Sequence, residues 1–230
     1  MSTNILFAQA TDDNEIRIDQ EGDTLTLYID QVGFGNKVAN NSDADEKMVI
    51  TGTTLTIDID QIGNQNKIFG PLIADTSDVD LSFTGDSNIL DWNIGYQGST
   101  DDSNINFAVT GSSNTFDLDQ GYGLSAERLN ADLILIGSSN IFDVDWESDD
   151  LTWDFEVTGD SNNINTLQKD GEQSIDFELT GDSADVDINQ LSGTCVGGSP
   201  CATPNANIVL DVTSDNAVIQ INQKDAANDS

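Results

Sequence analysis

Histidine is absent from this 230-residue chain, and cations are scarce: seven Lys and Arg stand against 42 Asp and Glu, a formal net charge of −35. Without histidine, the Ser-His-Asp and Cys-His catalytic arrangements are excluded. Carboxylates are so plentiful that a pair of them is not diagnostic of glycoside hydrolysis. Without a basic patch we expect neither nucleic acid nor an anionic membrane surface as a partner. The composition therefore favours a protein that is not an enzyme.

Long apolar runs and cysteines are also few. No run reaches the length of a transmembrane helix, and residues 1–10 lack the basic and apolar regions of a signal peptide. The two cysteines, Cys195 and Cys201, bracket five residues within one predicted loop. A disulfide closing that loop is the favoured interpretation, and free thiols are the alternative. A metal site there is disfavoured, since histidine and a second Cys pair are missing.

A short turn motif, Thr-Gly-Asp/Ser-Ser-Asn, repeats along most of the chain. Its anchor residues are spaced by 22 to 33 residues, which is typical of stacked coils. The predicted anchors are Gly22, Gly52, Gly85, Gly111, Gly137, Gly159, Gly181 and Ser214.

Apolar residues alternate with polar ones on both sides of each anchor. Ile105, Phe107 and Val109 precede Gly111, and Phe116 follows it, as expected for strands with one buried face. Each coil is predicted to be a strand, an anchored turn, a second strand and a return turn. The fold class predicted is all-β, a two-sheet parallel β-solenoid of about eight coils in one domain. Its parts are coils with long return turns over 1–84, Thr-Gly-Asp-Ser-Asn coils over 85–223 and a polar tail over 224–230.

Two polar ladders are predicted along the stack, at the ends of the buried face. Asparagines stand three residues after the anchors and glutamines nine residues after them. In parallel in-register stacking, like amides hydrogen-bond to one another from coil to coil, which gives these residues a structural role. The ladder residues are Asn88, Asn114, Asn140 and Asn162, with Gln31, Gln61, Gln120, Gln168, Gln190 and Gln223.

Aspartates recur six residues after the anchors, at Asp58, Asp91, Asp117 and Asp143. Two interpretations stay open. The row is either a solvated surface that opposes aggregation, or a ladder that binds a divalent cation between rungs, because Ca²⁺ favours several carboxylate oxygens. No EF-hand loop is present, and no other cofactor is expected.

Two segments, Gln31-Val-Gly33-Phe-Gly-Asn36 and Gln61-Ile-Gly63-Asn-Gln-Asn66, fit a Gln-x-Gly-x-x-Asn pattern. Over residues 25–70 the chain therefore resembles the curlin repeat of curli fibres. That resemblance implies a two-sheet β-solenoid that stacks end to end. The chain is also similar in style and composition to curlin-like structural proteins of tailed phages of marine bacteria. This second resemblance implies a virion protein, part of the surface, a fibre or the tail, that contacts itself and other virion or fibre proteins.

Two other functions stay open: an extracellular, curli-like fibre subunit at the cell surface, and a polysaccharide-binding or -degrading β-helix with a carboxylate cleft. Self-association is expected on independent grounds. Solenoids normally cover their open edges, yet the predicted terminal strands, Asn4 to Gln9 and Ala217 to Gln223, keep the ordinary repeat pattern.

Overall fold

The computed structural model describes residues 15–33, 37–39, 49–63, 67–85, 87–94, 102–120, 126–169, 172–192, 194–195, 199–200 and 206–225. None of these residues lies in a helix long and apolar enough to cross a membrane. Their regular structure is β: β1 Glu15–Arg17, β2 Asp19–Glu21, β3 Thr24–Val32, β4 Lys37–Ala39, β5 Val49–Ile62, β6 Lys67–Thr84, β7 Ile89–Ile94, β8 Asp102–Thr110, β9 Thr115–Gln120, β10 Ala126–Ile136, β11 Ile141–Thr158, β12 Asn163–Lys169, β13 Glu172–Thr180, β14 Asp185–Ser192, β15 Thr194–Cys195, β16 Ser199–Pro200, β17 Ala206–Thr213 and β18 Val218–Asp225.

The strands stack in two parallel rows. The upstream row holds the strands that lead into the repeated glycine turn, in the order β3, β5, β6, β8, β10, β11, β13, β17. The downstream row holds the strands on the other side of that turn, in the order β1, β4, β6, β7, β9, β11, β12, β14, β18, with β2 continuing β1. Strands β5, β6 and β11 are long because each bends from the downstream row into the upstream row. The predicted all-β parallel β-solenoid is confirmed.

The glycine turn sets the distance between coils. Seven glycines have φ between 126° and 152°, a region that L side chains rarely adopt. The backbone N of Gly111 donates to the carbonyl oxygen of Ile136, one coil further on, at 2.9 Å. A Cβ placed on Gly137 would lie 1.6 Å from the carbonyl oxygen of Gly111. Glycine is therefore required both by its φ and by the close approach of the neighbouring turn.

The predicted anchors Gly22 and Gly52 are wrong. The turns equivalent to Gly85 are at Gly33 and Gly63, with φ of 126° and 132°, and Gly63 N donates to Thr84 O at 2.8 Å. Buried residues stand two before and five after both Gly52 (Ile50 and Ile57) and Gly63 (Gln61 and Ile68), so the alternating pattern alone does not place the turn. Its positive φ identifies Gly63 as the turn residue. The spacing from Gly63 to Gly85 is 22 residues, the shortest spacing found between the other turns.

The core is a continuous column of apolar side chains between the rows. Ile105, Phe107 and Val109 are buried as predicted. Phe107 and Phe116 face each other across the rows, with ring centroids 4.9 Å apart, and Trp153 stacks on Phe155 at 5.0 Å. Each such aromatic pair contributes about 0.5–1.5 kcal/mol beyond its buried area.

The hairpin of β15 and β16 is the antiparallel pair of the described strands, with Cys195 opposite Ser199. Cys201 lies outside the described residues, so the disulfide with Cys195 stays a prediction. The predicted strand Asn4 to Gln9 and residues 226–230 of the tail also lie outside them.

We predict that Gly33→Ala and Gly137→Ala differ sharply in stability. Both replace a positive-φ glycine, which costs about 1–3 kcal/mol. Nothing lies within 4 Å of a Cβ on Gly33, whereas a Cβ on Gly137 collides with Gly111 O. Urea unfolding followed by circular dichroism should show a loss of about 4 kcal/mol or more for Gly137→Ala only. Equal losses would contradict the claim that coil contact, rather than φ alone, requires glycine.

Candidate functional site: carboxylate rows, amide ladders and the last coil

The outward face carries two separate carboxylate rows. On the downstream row, Asp91, Asp117 and Asp143 are in register on successive coils. The prediction placed Asp58 with them, but Asp58 pairs with Asp80 on the upstream row. This error has the same cause as the wrong anchor. Asp58 lies six residues after Gly52, but it precedes Gly63, the true turn residue, and therefore belongs to the upstream row. The upstream row runs on through Asn106, Asp132, Asp154 and Asp176.

Repulsion within these rows raises several carboxyl pKa values. Asp119 is in register with Asp145 and lies beside Asp117 along its own strand. Burial, followed by the charges of Asp117 and Asp145, raises the pKa of Asp119 to about 6. Burial and neighbouring carboxylates also raise the pKa values of Asp80 and Asp154. Stacked carboxylates therefore cost stability at neutral pH.

Amide and guanidinium groups relieve part of this repulsion. Asn165 takes the next position after Asp143, and its Nδ2 donates to Asp143 Oδ1 at 2.9 Å. Arg128 is in register with Asp102 and donates from Nη2 to Asp102 Oδ2 at 2.8 Å. The hydrogen bond from Arg128 lowers the pKa of Asp102.

The predicted cation ladder is not assembled as one set. Asp91, Asp117 and Asp143 share a row and Asp58 does not. Among the described residues, no group of three or more His, Cys, Asp or Glu converges closely enough to hold a metal ion. Calcium binding therefore stays a prediction, restricted to the downstream row.

The asparagines form one buried ladder at the glycine turn. Asn88 N donates to Asn114 Oδ1 at 2.8 Å. Asn114 donates from N and Nδ2 to Asn140 Oδ1, both at 3.0 Å, and Asn140 does the same to Asn162 at 3.2 and 3.1 Å. Buried Ala184 takes the next position and ends the ladder.

The glutamines form two ladders rather than one. Gln61 Nε2 donates to Gln31 Oε1 at 2.6 Å, on the upstream row. On the downstream row, Gln190 Nε2 donates to Gln168 Oε1 at 2.9 Å, and Gln223 Nε2 donates to Gln190 Oε1 at 3.1 Å.

Gln120 stands on the downstream row as predicted, but buried Trp146 separates it from Gln168. A sequence signal does distinguish the two ladders. Gln31 and Gln61 are followed two residues later by a turn glycine, whereas the glutamines of the downstream row are not.

The last coil leaves core positions uncovered. Leu210 of β17 is in register with Phe177, and Ile221 of β18 is in register with Ile188. Phe177 and Ile188 are each 1% exposed, whereas Leu210 is 38% and Ile221 is 46% exposed. The sequence repeat predicts that Leu210 and Ile221 stand at core positions, but it does not predict their exposure. The exposure follows from their place on the last described coil.

We predict that the protein becomes more stable as pH falls from about 7 towards 4. An acid whose folded pKa is raised binds its proton more tightly when folded, so protonation favours the folded state. Asp119→Asn should therefore stabilise the protein at pH 7 by roughly 1 kcal/mol, a value reduced for solvent screening at this half-exposed site. The same change should flatten the rise in stability at lower pH.

The matched control is Asp187→Asn. Asp187 is also on a downstream strand, but its partners in register are the neutral Asn165 and Gln220. Thermal melts at several pH values would measure both variants. The same pH dependence in Asp119→Asn as in the unmodified chain would contradict the assignment.

Comparison with known proteins adds no assignment: no family model, no curated protein and no solved structure matches the chain. The function therefore has to be argued from the rows, the ladders and the last coil.

Proposed function

We propose that this chain is a non-enzymatic structural protein that assembles with itself, as a surface, fibre or tail component of a phage virion. One observation carries the proposal: the last coil presents Leu210 and Ile221, residues of core type at core positions, to solvent. Burying such side chains in another chain gains about 25 cal/mol per Å² of apolar surface.

Backbone groups at this end also favour association. Among the described strands, β17 pairs only with β13, and β18 pairs only with β14. Each therefore has one edge that pairs with none of the described strands. Natural proteins usually cover such edges, because an uncovered edge is a template for pairing.

Charge favours association through the end of the stack rather than through its sides. The sides carry the carboxylate rows, so two copies side by side repel each other. On β18, the exposed outward residues from 218 to 224 include no acid: they are Val218, Gln220, Asn222 and Lys224. The outward side of β18 over these residues therefore does not continue the carboxylate rows, which lowers the repulsion of a second acidic chain at this strand.

The resemblance in sequence style to virion structural proteins supports the virion location. A curli-like fibre subunit at the cell surface is the alternative, and the same uncovered coil would serve it. The partners proposed are a second copy of this chain and other virion or fibre proteins.

Sedimentation velocity over a range of protein concentrations, in seawater-like salt that screens the net charge, tests the assembly. We expect association of the unmodified chain and its weakening in Leu210→Lys, which places a charge on the inward face of β17. The matched control is Val209→Lys, since Val209 is exposed on the outward face of the same strand. Circular dichroism would verify that both variants fold. A chain that stays monomeric at high concentration would overturn the proposal.

A further inference from the structure

We propose that β18 of one copy pairs in parallel with β1 and β2 of a second copy, in the register that continues the downstream row. Ile16 and Ile18 of the second copy then lie against Ile219 and Ile221, and Gln20 lies against Gln223. This inference rests on the proposed function, because it names the surface that meets the last coil.

The register follows from the pairing within one chain. Strand-to-strand partners connect Gln20 to Gln223 through every rung of the downstream row: Gln20, Ile50, Leu72, Ile94, Gln120, Trp146, Gln168, Gln190 and Gln223. The first and last strands therefore occupy equivalent positions.

Those two strands also carry the same pattern. Residues 16–20 read Ile-Arg-Ile-Asp-Gln, and residues 219–223 read Ile-Gln-Ile-Asn-Gln. Ile16, Ile18 and Ile219 are partly exposed and Ile221 is exposed, although their equivalents inside the stack are buried. Stacking the two strands would bury isoleucine on isoleucine at both positions.

Both strands have a free edge within the described part of the chain. β1 pairs with β4 and β2 pairs with β5, so each has a neighbour on one side. β18 likewise has β14 as its neighbour. Because all pairing between coils is parallel, a parallel contact continues the existing geometry, whereas a symmetric contact of two β18 strands would be antiparallel.

The amide ladder supplies a direction for the contact. Each Nε2 donates to the Oε1 of the preceding coil, from Gln223 to Gln190 and from Gln190 to Gln168. An incoming Gln20 continues that direction by donating from Nε2 to Gln223 Oε1. The exposed Gln20 Nε2 now donates to the carbonyl oxygen of Glu21 at 3.2 Å, a contact that it would exchange.

The outward charges are compatible at this junction. Inside the downstream row, Asp91, Asp117 and Asp143 repeat in register. The proposed register instead places the exposed Glu21 opposite the exposed Lys224. Opposite charges directly across a strand pair stabilise it and like charges destabilise it. The contact joins two different surfaces and so generates open chains of copies.

A charge exchange tests the pair of Glu21 and Lys224. Glu21→Lys and Lys224→Glu would each weaken self-association by roughly fivefold to tenfold at low ionic strength, because each places like charges across the junction. In a mixture of the two variants, position 224 of either variant meets an opposite charge at position 21 of the other, so the mixture should recover association as open chains in which the two variants alternate. The control is Glu178→Lys, an exposed change on β13 of the upstream row, away from the proposed junction, which should leave association unchanged.

Cross-linking tests the register directly. In a Cys195→Ser, Cys201→Ser background, Gln20→Cys and Gln223→Cys in one chain should form intermolecular disulfides, since directly opposed positions on paired strands fall within disulfide range. Gln20→Cys with Lys224→Cys should not, because adjacent strand residues face opposite sides.

The two proposals fail differently in these experiments. Association that persists without the 20-to-223 cross-link, and that ignores the charge exchange, overturns this register but leaves the proposed function standing. The absence of association in the unmodified chain overturns both.

Discussion

Every coil depends on the backbone contact between successive glycine turns. Gly111 and Gly137 approach so closely that a single carbon on one would overlap the carbonyl oxygen of the other. That contact fixes the coil spacing, and the spacing in turn sets which amides meet and which carboxylates repel. Variation in coil length, from 22 to 33 residues, is absorbed away from this turn. The strands of both rows are therefore positioned relative to this turn.

Attraction and repulsion are divided between the inside and the outside of the stack. Inside, apolar burial and amide hydrogen bonds stabilise the stack when the coils are in register. Outside, the same register brings carboxylates together, and burial, followed by the charges of these neighbours, raises the pKa of Asp119 to about 6. Asn165 and Asn106 interrupt the carboxylate rows at single coils, and Arg128 forms an ion pair with Asp102 elsewhere on the surface. The chain therefore keeps a highly acidic surface on a fold whose geometry concentrates like charges.

Much of this fold could be predicted because its pattern repeats. Thr-Gly-Asp-Ser-Asn located the coils from Gly85 onwards, and period-two alternation identified the core around Phe107. The first coils were displaced because alternation has the same parity before Gly52 and before Gly63, so only φ separates them. Asp58 was consequently assigned to the wrong row.

The interruption at Trp146 shows a second limit of repeat counting. Sequence spacing predicts which residues stack on one another, but the residue type at a stacked position can change from coil to coil. Gln120 and Gln168 therefore have the spacing of one ladder, although Trp146 lies between them. The exposure of Leu210 and Ile221 is a third case. It depends on the absence of a neighbouring coil in the described chain, which no local pattern encodes.

The two kinds of amide ladder run in opposite directions. Hydrogen bonds from asparagine to asparagine point towards the C-terminal end of the stack, as from Asn114 to Asn140, although Asn162 Nδ2 also donates back to Gly137 O. Hydrogen bonds from glutamine to glutamine point towards the N-terminal end, as from Gln190 to Gln168. Their dipoles therefore oppose each other, unlike the aligned peptide dipoles of an α-helix. On the coil that carries both Asn162 and Gln168 these dipoles partly cancel, whereas Trp146 leaves the coil of Asn140 without an opposing glutamine, so the polarity that the ladders contribute differs from coil to coil.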